Sequence, residues 1–175
     1  MKKVCYLFGL LSICLMLQCI NANAFVNHDF ESDLYKEEAN AVQVLGTSDK
    51  NIYVTKNDVY LMAQVVHAES NAEPYEGKVA VASVILNRVQ DPEFPKTIEG
   101  VIKQKAAFSC VVNGKIEVTP SQAAYSAVMD AIHGKDPTNK AVFFYNPRIA
   151  TSTWMKNIDK KGIKTIGNHV FFVVR

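Results

Sequence analysis

Cysteine is scarce in this chain, and most of it lies in one place. The sequence has 4 cysteines, and Cys5, Cys14 and Cys19 all fall within the first 24 residues, which leaves Cys110 alone in the rest. An exported protein that lost this first segment would have no internal disulfide. Its stability would therefore have to come from packing.

An excess of charge of one sign is also missing. The sequence has 19 basic and 17 acidic residues, and its formal net charge is +2. Nucleic-acid binding depends on a surplus of Lys and Arg facing the phosphates. A balance this even predicts no nucleic-acid partner.

The motifs of two common enzyme classes are incomplete. No His-Glu-x-x-His occurs, and the two-residue spacing of His67 and Glu69 does not place them on one helical face, so no metal or other cofactor is predicted. Cys110 and His169 could form a cysteine-peptidase pair, but the apolar, strand-like flanks of Cys110 indicate a buried thiol.

The first 24 residues have the features of an export signal. Lys2 and Lys3 precede an apolar run from Val4 to Leu17, and the small-residue site Ala22-Asn23-Ala24 follows. The run is shorter than the roughly 20 residues that cross a bilayer. We therefore expect a signal peptide at residues 1–24, a secreted protein, and no stable membrane span after its removal.

The remainder divides into an arm and one domain. Residues 25–51 are polar and acid-rich and are interpreted as a linker or arm. Residues 52–175 carry the regular hydrophobic patterns, and their length suits a single domain with a usable core.

Local patterns predict a small α+β domain with a central core helix and a minor antiparallel sheet. Apolar residues at helical spacing indicate helices at about 58–70, 75–89, 97–102 and, after a Thr119 cap, up to His133. The second of these is apolar on nearly every face, which is typical of a core helix. Strands are expected at 142–145 and 170–174, and a hairpin at 108–118 around Asn113-Gly114.

Glu69 stands out in the first helix. It follows Met62, Val65 and Val66 on one helical face, in the last turn, where the helix dipole is negative. An apolar face and a negative dipole both disfavour the ionised form and should raise the pKa of a carboxyl group. A carboxyl that stays protonated near neutral pH can act as a general acid, although a glutamate that reaches solvent would give the same pattern.

Several motifs recur in the order found in one known family. They cover the domain from Val59 to Val174 and are Val66-His67-Ala68-Glu69, Glu73-Pro74-Tyr75-Glu76-Gly77, Val79-Ala80-Val81-Ala82, Val84-Ile85-Leu86-Asn87-Arg88-Val89, Phe94-Pro95, Phe108-Ser109, Tyr145-Asn146-Pro147 and Gly167-Asn168-His169-Val170-Phe171. Through these motifs the chain resembles the cell wall hydrolases of the SleB/CwlJ type, the spore cortex-lytic enzymes.

The resemblance implies a fold related to lysozyme-like transglycosylases and cleavage of peptidoglycan glycan strands, commonly those of the spore cortex during germination. It also implies that Glu69 is the catalytic residue. Many family members carry a separate wall-binding domain, for which residues 25–50 are too short, so cortex targeting is expected to need an accessory protein.

A single glutamate is sufficient for a lytic transglycosylase, because the C6 hydroxyl of the sugar itself is the nucleophile. A hydrolase normally needs two carboxylates, and Glu73 and Glu76 are the candidates for a second one, both expected to be exposed beside a turn. Substrate-binding side chains are predicted from their places in loops and before strands. They are Tyr145, Asn146, Trp154, Asn168 and His169.

Three alternatives to this function stay open from the sequence. They are a zinc-dependent peptidoglycan peptidase or amidase, a cysteine peptidase that uses Cys110, and a non-catalytic wall-binding protein.

Overall fold

Residues 42–43 and 52–174 are described by a computed structural model, within one compact unit, Asn40–Arg175. The predicted signal peptide and most of the predicted arm lie outside the described residues, so the domain division stays a prediction. Val42–Gln43 (β1) pairs in antiparallel fashion with Tyr53–Val54 (β2).

The first helix, α1 (Lys56–Ser70), begins with a capping box. The hydroxyl of Thr55 accepts a hydrogen bond from the backbone N of Asp58 at 3.1 Å, and Asp58 Oδ2 accepts one from the backbone N of Thr55 at 2.9 Å. This reciprocal pair satisfies N–H groups that a helix start leaves without partners. Beyond it, α1 directs Met62, Val65 and Val66 into the core.

The central helix is α2 (Tyr75–Gln90), as its all-round apolar sequence predicts. Every residue from Gly77 to Leu86 is buried. It packs against α1 and against two further helices, α3 (Ile98–Lys103) and α4 (Gln122–Ile132). The core of the domain is therefore built around α2.

The predicted hairpin at 108–118 is wrong except for its turn. Asn113 and Gly114 both have positive φ, but they connect only a single bridge between Val112 and Lys115. The carbonyls of Ile116 and Val118, which a second strand would use, accept hydrogen bonds from Gln64 Nε2 at 3.0 and 2.9 Å instead. A side chain of α1 thus takes the place of the partner strand.

The cap predicted for α4 is displaced by two residues. Ser121, not Thr119, precedes the helix, and its hydroxyl accepts from the backbone N of Ala124 at 3.3 Å. The helix ends at Ile132, close to the predicted His133.

The sheet has one strand more than the sequence predicts. The strands β3 (Phe143–Tyr145), β4 (Lys161–Ile166) and β5 (His169–Val173) form an antiparallel sheet in the order β3-β5-β4, and α5 (Thr153–Asn157) lies between β3 and β4. β4 is an edge strand in which only Ile166 is buried. Exposed lysines on an edge strand discourage pairing with other chains, and they also hide the alternating pattern of a strand. The α+β prediction is confirmed.

Candidate active site

Glu69 lies in the last turn of α1, where the helix meets the loop that follows Phe108. Its side chain is half-buried, while the helix residues that precede it on the same face are buried. The carboxylate is not left unpartnered on an apolar surface. It turns toward the backbone of Ser109 and Cys110.

Three hydrogen bonds from nitrogen and oxygen donors go to one oxygen of this carboxylate. Glu69 Oε1 accepts from the Ser109 backbone N at 2.9 Å, from Ser109 Oγ at 2.9 Å, and from the Cys110 backbone N at 3.3 Å. The Cys110 thiol also hydrogen-bonds to the carboxylate, and within the described residues no nitrogen or oxygen donor reaches the other oxygen, Oε2. The arrangement orients the carboxyl group and leaves Oε2 available to carry a proton toward a ligand.

Cys110 is the free thiol beside this glutamate. Burial raises its pKa to about 12, and the negative charge of Glu69 adds to the increase. The thiolate is the nucleophilic form of cysteine, and here it is strongly disfavoured.

A second carboxylate, Glu73, belongs to the loop between α1 and α2. It is half-buried, whereas exposure was expected, and its two oxygens accept hydrogen bonds from Asn168: Oε2 from the backbone N at 2.8 Å and Oε1 from Nδ2 at 3.1 Å. Burial raises the pKa of Glu73, but the Asn168 hydrogen bonds and nearby positive charge outweigh it, so the net pKa is lowered. Glu76 is exposed, as predicted.

His169 follows Asn168 and begins β5. The residue is only 8% exposed, and its Nδ1 atom has no hydrogen-bond partner among the described residues. Burial lowers the pKa of His169, against the opposing influence of the Glu73 and Glu69 carboxylates. The structure thus brings Glu69, Glu73, Asn168 and His169 into one neighbourhood.

The predicted residues Tyr145 and Trp154 lie on the other side of the sheet. Antiparallel register places Phe144 opposite Phe171, with the His169 ring 5.2 Å from that of Phe144. The opposite face of the sheet carries Phe143 and Tyr145. The ring centroid of Phe143 lies 5.5 Å from that of Trp154, and the ring centroid of Tyr145 lies 5.9 Å from that of Phe172. Trp154 is 48% exposed and so presents a free surface.

Asn146 connects these two groups through the turn after β3. Its Oδ1 accepts from the backbone N of Arg148 at 3.0 Å, and Arg148 Nη1 reaches Asn168 Oδ1 at 3.4 Å. Asn146 therefore shapes the loop whose arginine contacts the β4–β5 turn.

Three features of the site were not predicted. The first is the pair of backbone donors, Ser109 and Cys110, that bind Glu69. The second is the pair of hydrogen bonds that Glu73 accepts from Asn168. The third is the Lys78 ammonium, which donates to the carbonyls of Ser70, Asn71 and Glu73. A buried lysine in a helix that is otherwise apolar was the one available signal for the last of these.

Other parts of the described domain offer less chemistry. A cavity of about 540 Å³ lies near the start of α3, and none of the predicted site residues lines it. Among residues 42–43 and 52–174, no group of three His, Cys, Asp or Glu side chains is placed to hold a metal ion. No helix in the same residues is long and apolar enough to cross a membrane.

A family model described as cell wall hydrolase matches residues 72–172. The chain belongs to the cell wall hydrolase family. Glu69 lies three positions before the matched range, so that match does not include it.

Relatives and solved structures agree with the family. A spore cortex-lytic enzyme of Bacillus cereus is 47% identical over 135 residues, which is 77% of this chain and 51% of that protein. The crystal structure of the catalytic domain of the Bacillus cereus SleB protein matches at 49% identity with a TM-score of 0.62, covering 68% of this chain and 91% of that one. The catalytic domain of the germination-specific lytic transglycosylase SleB from Bacillus anthracis matches at 48% identity with a TM-score of 0.63, covering 68% and 96%.

The matches cover different shares of the proteins compared. The chain spans about half the length of the Bacillus cereus relative, whereas it covers nearly all of the two catalytic domains. The likeness therefore concerns the catalytic domain.

Proposed function

We propose that this protein is a lytic transglycosylase that cleaves the glycan strands of peptidoglycan, with spore cortex as its substrate and germination as its setting. Glu69 is the proposed catalytic acid and base. Membership of the cell wall hydrolase family and the names of the most similar proteins support this assignment.

The observation that carries the proposal is the asymmetry of the Glu69 carboxyl group. Three nitrogen and oxygen donors converge on Oε1, and no nitrogen or oxygen donor among the described residues reaches Oε2. A proton on Oε2 would pass to the glycosidic oxygen as the bond to the muramic-acid-type sugar breaks. The same oxygen would then take the proton of the C6 hydroxyl as that hydroxyl bonds to C1, which returns Glu69 to its starting state without consuming water.

The placement of the other glutamates supports an intramolecular nucleophile. Both oxygens of Glu73 already accept hydrogen bonds from Asn168, and Glu76 projects from the first turn of α2 into solvent. A hydrolase needs a second carboxylate to activate water or to form a covalent intermediate. The C6 hydroxyl needs neither, and it gains from being tethered to the reacting sugar.

The substrate-binding proposal covers both faces of the sheet. His169 interacts electrostatically with Glu69, and Asn168 precedes it, while Tyr145 and Trp154 offer aromatic surface beyond the turn that Asn146 shapes. A glycan strand is long enough to contact both groups. Aromatic rings suit the apolar faces of sugars, and Trp154 is 48% exposed.

Export and targeting belong to the same proposal. The Lys2-Lys3 pair, the apolar run and Ala22-Asn23-Ala24 support a signal peptide and a secreted protein that acts in the wall or cortex. An accessory protein would direct it to the cortex. Sequencing the N-terminus of the exported protein should give Phe25 first, and a retained Met1 would overturn the export proposal.

The cysteine-peptidase alternative is not favoured, because burial and the adjacent Glu69 charge suppress the Cys110 thiolate. The names of the relatives do not favour the zinc-dependent or non-catalytic alternatives either.

Product analysis tests the proposal. Purified cortex and vegetative peptidoglycan are digested side by side in heavy-oxygen water, and the fragments are analysed by mass spectrometry. Anhydro-muramic ends without label are expected, with faster release from cortex. Labelled reducing ends would overturn the transglycosylase mechanism, and free peptides without new glycan ends would overturn glycan cleavage itself.

A further inference from the structure

The Glu73 side chain joins two segments that are 95 residues apart in the chain. It lies in the loop that follows α1, four residues after Glu69, and contacts the turn between β4 and β5. Its two oxygens accept from the backbone N and the Nδ2 of the same residue, Asn168, at 2.8 and 3.1 Å. A bidentate contact of this kind sets both distance and orientation.

The turn is shaped for this approach. Gly167 has a φ of +58°, and a Cβ atom added to it would lie 2.1 Å from Glu73 Oε2 and 2.8 Å from Pro74 Cδ. Any other residue would displace the Glu73 carboxylate or the turn. Gly167 is therefore needed for the close approach as well as for its backbone conformation.

The other end of the contact is also held in place. The Lys78 ammonium donates to the carbonyl oxygens of Asn71 and Glu73, at 2.8 and 2.9 Å, and to that of Ser70. These carbonyls belong to the end of α1 and the loop that follows it. The backbone that carries Glu73 is thus anchored to α2 and to the helix that bears Glu69.

The residue placed next to this contact is His169. It follows Asn168 directly, is almost fully buried against Phe144, and interacts electrostatically with both Glu73 and Glu69. Its buried Nδ1 atom has no hydrogen-bond partner among the described residues, so this nitrogen does not fix its orientation. The turn that Glu73 contacts leads directly into His169, which pairs with Ile166 at the start of β5.

We infer that Glu73 is a positioning residue, which holds Asn168 and His169 beside Glu69 for glycan binding and does not itself act as a second catalytic carboxylate. The inference rests on the proposed function and assigns a role within that site.

Variants that exchange the side-chain groups of Glu73 and Asn168 distinguish a positioning role of Glu73 from a catalytic role. In Glu73→Gln, the new amide faces the Asn168 amide, so two donors meet and one hydrogen bond is lost. In Asn168→Asp, two carboxylates meet. The double variant restores one donor opposite one acceptor, but it moves the carboxylate from position 73 to position 168.

Each single variant should lower kcat/KM by up to about 100-fold, as expected when groups at a reacting centre are displaced. The double variant should recover at least about ten-fold over either single variant. Glu76→Gln is the matched control, because Glu76 is exposed and lies three residues along. It should behave as wild type.

A spectroscopic readout checks the placement independently of activity. NMR follows the titration of the His169 imidazole, assigned with a His169→Gln variant. Because the Glu73 carboxylate raises the pKa of His169, its loss in Glu73→Gln should lower the titration midpoint, and the double variant should raise it again. A change of overall stability alone would not produce this pattern.

The outcomes distinguish a failure of the proposed function from a failure of the positioning role alone. If Glu69→Gln keeps its activity, the proposed function fails, whatever the Glu73 variants show. If Glu69→Gln is inactive but Glu73→Gln equals wild type, or the His169 midpoint does not move, only the positioning role fails. A double variant as inactive as Glu73→Gln would also refute it and would make Glu73 a catalytic carboxylate.

Discussion

The backbone N of Cys110 donates a hydrogen bond to Glu69 Oε1 at 3.3 Å, and the charge of that carboxylate in turn helps to raise the pKa of the Cys110 thiol. The charge of Glu69 and the pKa of the Cys110 thiol are therefore coupled. A change in the charge of Glu69 should be detectable both in catalysis and in the reactivity of the neighbouring Cys110 thiol.

Replacing Glu69 with Gln should abolish nearly all activity. The amide keeps an oxygen that can accept from Ser109 and Cys110, so the fold should persist, but it cannot transfer a proton. General acid–base catalysis contributes about 10²–10⁴-fold, and a loss in this range is expected. Release of glycan fragments from purified cortex, measured with matched thermal unfolding curves, checks this.

The appropriate control is Glu117→Gln. Glu117 is exposed and carries the same functional group, and none of the described hydrogen bonds to Glu69 involves it. A Glu69→Gln enzyme within a few-fold of wild type, or an equal loss in the control, would contradict the assignment.

Cys110 should resist alkylation. With a pKa of about 12, the thiol is almost entirely protonated at pH 8, and its ionised fraction grows as the pH rises toward 12. We expect iodoacetamide to modify it on the order of 100-fold more slowly than an exposed cysteine, since higher intrinsic nucleophilicity offsets part of the smaller thiolate fraction. Peptide-level mass spectrometry distinguishes Cys110 from the cysteines of the first 24 residues.

The same measurement tests the coupling to Glu69. Glu69→Gln removes a negative charge next to the thiol, so the pKa of Cys110 should fall and its alkylation at pH 8 should become faster. An unchanged rate would show that burial alone sets the reactivity.

The sequence predicts those parts of the fold whose signals are local. α2 is predictable because its residues are apolar on every face, and only a core helix requires that. Glu69 is a candidate site residue because of the family resemblance, since an acid on an apolar helix face does not by itself distinguish a general acid from a glutamate that reaches solvent. The signal for α2 is contained in a single helix.

The features that sequence reasoning missed depend on partners far along the chain. The hairpin at 108–118 fails because Gln64 binds two of its carbonyls, and Glu73 meets Asn168 across 95 residues. β4 has no alternating apolar pattern, because it is an edge strand with exposed lysines. Such pairings are tertiary, and no window of the sequence contains both partners.

Replacing Arg88 with Lys should destabilise the domain. The Arg88 residue is 4% exposed, its Nε donates to the Val142 carbonyl at 2.7 Å, and its guanidinium lies 5.1–5.7 Å from the ring centroids of Phe94, Phe108 and Phe143. Burial lowers the pKa of Arg88 to about 10, so the group remains charged at neutral pH. A lysine ammonium has no planar face to lay against an aromatic ring and is more strongly hydrated.

We expect the free energy of unfolding to fall by about 1–3 kcal/mol in this variant. Urea denaturation with linear extrapolation measures it. Arg148→Lys, at an exposed position, should change it by less than about 0.5 kcal/mol. Equal effects of the two substitutions would show that the stacked guanidinium contributes nothing specific.

Gly167→Ala and Gly114→Ala form a matched pair that isolates the contact with Glu73. Both glycines have positive φ, at +58° and +75°, so both substitutions incur the cost of a left-handed conformation, about 1–2 kcal/mol. A Cβ at Gly114 would meet nothing within 4 Å, whereas one at Gly167 would lie 2.1 Å from Glu73 Oε2. Gly167→Ala must therefore also displace the Glu73 carboxylate or the turn.

We expect Gly167→Ala to lower the free energy of unfolding more than Gly114→Ala does, and to lower kcat/KM, while Gly114→Ala leaves kcat/KM unchanged. Urea denaturation and cortex digestion of the two variants, compared directly, measure both effects. Equal destabilisation of the two variants would mean that the turn moves freely away from Glu73, and the close approach would then have no energetic consequence.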